Sequence, residues 1–292
     1  MLITALGIFA LIIGSFLTAC IYRIPLGRGY DDWEDEGGEE QDQTLEKEPH
    51  PDAAINLVNP PRSFCPKCRE QLRWWHNIPL FSWLMLGGKC WYCKTPIPMR
   101  YPLVELITLM LALLCWYRFG VSPTGFVIFA FCCSLIVISF IDYDYYIIPN
   151  VISLPGTAIG VGIGLLNQFF HFFTPPVAGD LMGSLLGILA GAGSLWLVAE
   201  LYMLLRRKEG MGMGDVKLLA MTGALLGWEG AVFTIWIGAS LGAVLGVILL
   251  LLRGHKLSHQ LPFGPYLATG TLLYLFARDE MALLVMKVMG IN

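Results

Sequence analysis

Residues Leu2–Tyr22 form an unbroken run of 21 uncharged positions. Inside a bilayer no water remains to pair with peptide N–H and C=O groups, so a continuous apolar run of this length has one solution, a helix that satisfies its own backbone. Seven further apolar segments follow, at Pro102–Tyr117, Phe126–Ile141, Val151–Phe170, Leu181–Leu205, Val216–Gly227, Ala231–Leu252 and Pro265–Phe276. Hydrophobic residues make up 56% of the 292, charged residues only 14%, and mean hydropathy is +0.63. That composition excludes an ordinary soluble globule. The expected fold is an all-α polytopic membrane protein with about eight transmembrane helices.

Charge placement orients the bundle. The first bases, Arg23 and Arg28, follow the opening segment, whereas a secretory signal carries its positive charge ahead of the apolar run. The N-terminus is therefore expected to face outward and the helix to stay in place. The sixth and eighth segments are short enough to be re-entrant. For the sixth, Arg253, His255 and Lys256 fall on the same side as Arg206, Arg207 and Lys208 only if it crosses, and crossing is the expectation. For the last, Arg278, Asp279 and Glu280 interrupt its continuation, and the sequence leaves open whether it spans.

The chain divides into a first helix (1–22), an aqueous loop (23–100) and a membrane core (101–292). Within the loop, 31–52 holds 11 of the 22 acidic residues and one base, Lys47. Such a stretch is too polar to bury a core and reads as a solvated insert. Membrane lipid is an expected partner and nucleic acid is not. Oligomeric state is not legible.

The second half of the loop carries Cys65-Pro-Lys-Cys68 and Cys90-Trp-Tyr-Cys93. Each C-x2-C suits a turn that aims two thiolates at one tetrahedral ion, and four sulfurs make a closed structural zinc site. Disulfides are the competing reading, and a loop in the reducing cytoplasm disfavours them. The expectation is a cytoplasmic zinc-binding loop domain. Cys20, Cys115, Cys132 and Cys133 lie in apolar helices, where buried packing is their expected role.

Counting crossings places the loop after the third helix, with Asp142 and Asp144, on the same cytoplasmic face as Asp215 at the start of the sixth. Asp180 and Glu105 read as ordinary helix-end acids, while Glu200 inside the fifth helix is a functional suspect. Asp215 follows Gly212 and Gly214, which permit positive φ and close backbone approach. Two adjacent carboxylates that share one proton supply both the base that activates water and the acid that protonates a leaving nitrogen. No competing set stands out. His50, His76, His171, His255 and His259 are scattered, and neither G-x-S-x-G nor H-E-x-x-H occurs. Residues two apart on a helix point about 200° apart, so Asp142 and Asp144 do not share a direction. Asp142 lines up with Ser139, Leu135 and Ser134, and Asp144 with Ile141, Phe140 and Val137. Small polar residues favour helix contacts, so Asp142 is expected to face inward and Asp144 outward.

The motif "GMGD" at 212–215 resembles the GxGD signature of membrane aspartic peptidases. "FIDYDYYIIPN", "GDVKLLA", "GSFLTACIYRIP", "NIPLFSWLMLGGKC", "RYPLVE" and "LPFGPYLATG" extend the resemblance over nearly the whole chain. Together they are similar to the bacterial type IV prepilin peptidases (prepilin leader peptidase/N-methyltransferases). The resemblance implies a multi-pass protein of the bacterial inner membrane whose active site faces the cytoplasm. It implies cleavage of prepilin and pseudopilin leaders after a glycine, with Asp142 and Asp215 as the catalytic pair. It also implies methylation of the new N-terminus with S-adenosylmethionine, for which no Gly-rich nucleotide loop is visible. The chain departs from the pattern at Asn150, where the family commonly has Asp, and in the acidic insert. The rival readings are a presenilin-like intramembrane peptidase, whose P-A-L tripeptide is absent, and a proton-coupled transporter, which would need acids distributed across the membrane.

Overall fold

A computed structural model describes residues 2–26, 56, 57, 59–207, 212–253 and 261–288. The acidic insert at 31–52, Lys208, His255 and Lys256 lie outside the described residues. Regular structure among the described residues is helical, with two isolated antiparallel bridges, Phe64 to Gln71 and Lys89 to Pro96. The helices are α1 (Leu2–Leu26), α2 (Phe81–Met85), α3 (Arg100–Phe119), α4 (Pro123–Tyr145), α5 (Asn150–Phe170), α6 (Leu181–Ile188), α7 (Ser194–Arg206), α8 (Met213–Arg253) and α9 (Gly264–Val288). A π-turn, Leu189–Gly193, joins α6 to α7 without a loop. Six stretches among the described residues are long and apolar enough to cross a membrane: 3–26, 100–119, 123–145, 150–170, 181–206 and 213–248. The chain falls into two compact units, residues 1–137 and 138–292.

In the first unit α1 packs on α3. Arg23, at the end of α1, is buried, and its guanidinium donates to the carbonyls of Asn56 and Leu57 (both 3.4 Å), Pro60 (2.8 Å) and Arg62 (3.2 Å). A planar fork with five N–H donors suits that task, because one side chain satisfies several carbonyls of an irregular segment. The loop is thereby tied to the helix.

In the second unit α8 packs against α5, α6 and α9. Its 41 residues would span about 60 Å as one helix, twice the hydrocarbon thickness of about 30 Å. It does not run straight. Gly227 has φ 72° and ψ −174°, a conformation open to glycine, and divides α8 into two helices. The break separates the sixth apolar segment from the seventh, and the chain bends sharply there, since a Cβ on Gly191 would meet both Leu219 O (2.9 Å) and Ala231 Cβ (3.1 Å). The break frees helix carbonyls, and Ala178 N–H takes up Leu225 O at 2.8 Å, as buried backbone requires. Likewise α9 continues unbroken through Arg278–Glu280, well past the apolar segment that announced it.

The part of α8 before the break is held by backbone contact. Gly187 of α6 and Gly223 of α8 meet so closely that a Cβ on either would run into the other's carbonyl. Small residues let helices associate in lipid through dispersion alone. Gly223→Ala is expected to destabilise the protein by about 1–3 kcal/mol through overpacking. Gly162→Ala, where an added Cβ meets nothing within 4 Å, is the control and should unfold like the parent. Thermal unfolding in detergent checks both, and equal midpoints would contradict the packing argument.

Candidate active site and cysteine centre

Asp142 occupies the last turn of α4, and Asp215 the first turn of α8. Both belong to the second unit and both are buried, at 5% and 8% exposure. Asp142 acts electrostatically on Asp215. Glu200 is half-buried on α7.

Local geometry accounts for the meeting. The α4 helix stops at Tyr146, whose φ is +59° and whose N–H closes on Asp142 O at 2.8 Å. The chain then turns through Ile147–Pro149 into α5. Ile148, 2% exposed, lies against Gly214, where a Cβ would come within 3.0 Å of the Ile148 Cβ and 3.4 Å of its backbone N. Gly214 is therefore small because the chain leaving α4 packs onto the first turn of α8. Its backbone is helical, not left-handed as the sequence allowed. Gly212 has no such neighbour. An added Cβ there would meet nothing nearer than Gly214 N at 4.0 Å.

A residue that the sequence reading did not single out completes the site. Gly264 opens α9, and its N–H donates to Asp142 Oδ2 at 2.9 Å. A Cβ at Gly264 would lie 2.8 Å from that oxygen and 3.1 Å from Cγ, so only glycine admits the contact. The sequence signal was Gly264-Pro265 before an apolar run, a helix-start pattern.

Asp142 faces in and Asp144 is exposed, the orientation expected, but for a different reason. Val137 and Ile141, expected to face lipid, are 3% and 2% exposed. Two-thirds (67%) of the apolar window of α4 is buried, against 22% for α1. A helix packed on most sides has no lipid-facing stripe to read. Asp180 is an ordinary N-cap, accepting Gly183 N–H at 2.7 Å. Glu105 is not an ordinary helix-end acid. It is buried, and its Oε2 accepts Leu80 N–H at 2.7 Å, anchoring the loop to α3.

The cysteines form two matching turns in the first unit. Cys65 N–H donates to Glu70 O (3.0 Å) and Arg69 N–H to Cys65 O (2.9 Å), while Cys90 N–H donates to Thr95 O (2.8 Å) and Lys94 N–H to Cys90 O (3.0 Å). Arg69 and Lys94, each directly after the second cysteine of its pair, both take positive φ, 59° and 58°. The four Sγ atoms lie within 4.8 Å of one another, with Cys65 and Cys93 at 3.8 Å. The edge of a tetrahedron built on metal–sulfur bonds of about 2.3 Å is about 3.8 Å, so this group could hold a metal ion. The Thr95 hydroxyl and backbone N–H beside Cys93 hold its thiol down to about 6, while at Cys68 the Glu70 backbone hydrogen bond is outweighed by burial and the neighbouring Cys65 and Cys93 thiols, which push it up to about 12.

Residues 8–119 match the Bacterial Peptidase A24 N-terminal domain, and residues 129–247 match the Type IV leader peptidase family. The prepilin leader peptidase/N-methyltransferase of Pseudomonas aeruginosa is 40% identical over 274 residues, covering 94% of this chain and 89% of the relative. The proteins of that name from Pseudomonas putida (35% over 288 residues, 99% and 95%) and Xanthomonas campestris (38% over 270 residues, 92% and 89%) are similar to it as well. The chain belongs to the type IV leader peptidase family. No solved structure matches it. In this family member the cysteine turns and Glu105 fall within the first matched region, and Asp142, Gly214 and Asp215 within the second.

The sulfur geometry predicts that Zn²⁺, added to metal-stripped protein in detergent, protects Cys65, Cys68, Cys90 and Cys93 together from alkylation. Mass spectrometry of the labelled peptides checks it. Equal labelling with and without Zn²⁺ would contradict the site.

Proposed function

We infer that this chain is an aspartic endopeptidase of the bacterial inner membrane that removes the leaders of type IV prepilins and pseudopilins after glycine, at the cytoplasmic face, and then methylates the new N-terminus. The observation that carries the reading is the burial of Asp142 and Asp215 within electrostatic reach of each other, from two helix ends. It agrees with the names of the relatives.

In the proposed reaction the two carboxyls hold one proton between them. The ionised member takes a proton from water as its oxygen attacks the scissile carbonyl. The protonated member donates to the leaving nitrogen as the C–N bond breaks. One proton enters the pair and one leaves, so the pair is ready for another turnover. The Gly264 amide fixes Oδ2 of Asp142 and leaves Oδ1 to the substrate side. Gly212, exposed at the mouth of α8, leaves room for an extended peptide beside Asp215. Two buried acids at helix termini suit hydrolysis better than a proton path, which needs acids spaced across the membrane.

Cys65, Cys68, Cys90 and Cys93 would hold a structural zinc that staples the loop, with no open position for chemistry. When bound, S-adenosylmethionine would supply the methyl group for the amine that cleavage frees.

Asp142→Asn and Asp215→Asn are each expected to lower cleavage of a prepilin peptide by roughly 10³-fold or more without changing thermal unfolding. Asp144→Asn should retain most activity. Gly264→Ala should cost on the order of 10²-fold, because a displaced catalytic group loses alignment. Mass spectrometry of the products, cut after glycine, is the measurement. An active Asp142→Asn beside an inactive Asp144→Asn would reverse the assignment.

A further inference from the structure

The loop between α1 and α3 carries a short helix whose exposed face is the apolar one. In α2, Phe81, Leu84 and Met85 stand at i, i+3 and i+4 and so share one side of the helix. They are 58%, 68% and 67% exposed. Ser82, Trp83 and Leu86 occupy the opposite side and are half-buried, with the Trp83 indole N–H donating to Ile97 O at 3.3 Å. Trp74, in the 3₁₀ turn Trp74–Asn77 that precedes α2, is 80% exposed. A helix bathed in water turns its apolar side to the core and its polar side outward. Here that order is reversed. One exposed apolar residue needs no account, but three on one helix side, beside an exposed Trp, mark a surface that something covers.

The anchor of α2 shows what lies against it. Leu80, directly before the helix, donates its N–H to Glu105 Oε2 at 2.7 Å. Glu105 belongs to α3, whose 20 residues span about 30 Å, the hydrocarbon thickness of a bilayer. Its Cα lies about 8 Å along the axis from that of Arg100, and helix side chains lean back toward the N-terminus. Leu80 is therefore held within the first turn and a half of a membrane span. Interfacial helices lie at this depth, with their apolar side about 5–10 Å into the boundary of headgroups and acyl chains. Leu103 and Leu106, on the same turns of α3, are exposed as well. Charge agrees with this placement. Residues 61–100 hold seven bases and one acid, Glu70. Arg73 directly precedes Trp74, Lys89 follows Met85 by one helical turn, and both are exposed.

We propose that Phe81, Leu84 and Met85, together with Trp74, are seated in the interface of an anionic phospholipid leaflet, with Arg73 and Lys89 at its phosphates. The apolar side chains replace water with upper acyl carbons, and the cations are attracted by the negative surface potential. The second half of the loop is then a membrane-surface element and not an aqueous one. This seat exists whichever reaction the chain performs.

The test places the full chain in vesicles of phosphatidylcholine and phosphatidylglycerol, mixed three to one. Leu84→p-benzoylphenylalanine is irradiated, and its adducts are identified by mass spectrometry. Phospholipid adducts are expected, as at Leu106→p-benzoylphenylalanine on the exposed side of α3, with phosphatidylglycerol over-represented at least about threefold at Leu84. Arg73→Glu combined with Lys89→Glu, both at exposed positions, should return the adducts to the mixing ratio. A second measurement needs no variant. Hydroxyl radicals should oxidise Met85 of the unsubstituted chain in these vesicles at least about tenfold more slowly than methionine in a short peptide, because the interface excludes water from it. Adducts to a second copy of the chain, phospholipid adducts at the mixing ratio in the parent, or Met85 oxidised as fast as the peptide would each overturn the proposal.

Discussion

Burying a carboxylate in the last turn of a helix is unfavourable twice over, since it loses hydration and sits at the negative end of the helix dipole. Asp142 is placed that way, and the amide of Gly264 at the N-terminus of α9 offsets both effects at 2.9 Å. The rest of the second unit is arranged around that contact. α9 packs on α8, α8 packs on α6 through Gly187 and Gly223, and Gly214 admits Ile148, so Asp215 arrives beside Asp142. Gly187, Gly214, Gly223 and Gly264 serve close approach, and among the described residues of this unit Gly227 is the glycine with a positive φ.

Hydropathy made the helices legible because lipid leaves the backbone no alternative, and C-x2-C spacing made the sulfur cluster legible because the constraint is local. Contacts across long separations were not legible. Gly264 lies 122 residues from Asp142, and no periodicity links them. The Arg23 clamp and Glu105 escaped for the same cause, since a charge near a helix end looks alike whether it caps, solvates or anchors. The stripe argument for Asp142 reached the observed orientation through a premise that fails, because α4 has no lipid face at Val137 or Ile141. The helix break at Gly227 falls where the sequence divides its sixth apolar segment, Val216–Gly227, from its seventh, Ala231–Leu252.

The two compact units carry different sets of polar groups. The second holds the buried acids Asp142 and Asp215, and the first holds the thiol cluster and the Glu105 anchor.

The central claim is that Asp142 and Asp215 hold one proton between them. Infrared difference spectroscopy of the full chain with ¹³C-labelled aspartate, followed across pH, observes that proton at its carbonyl band. The account predicts one protonated carboxyl that persists over an intermediate pH range, titrates in two separated steps, and loses the two-step behaviour in either Asp142→Asn or Asp215→Asn. Two carboxyls that titrate together in a single step, unaffected by each other's replacement, would contradict it.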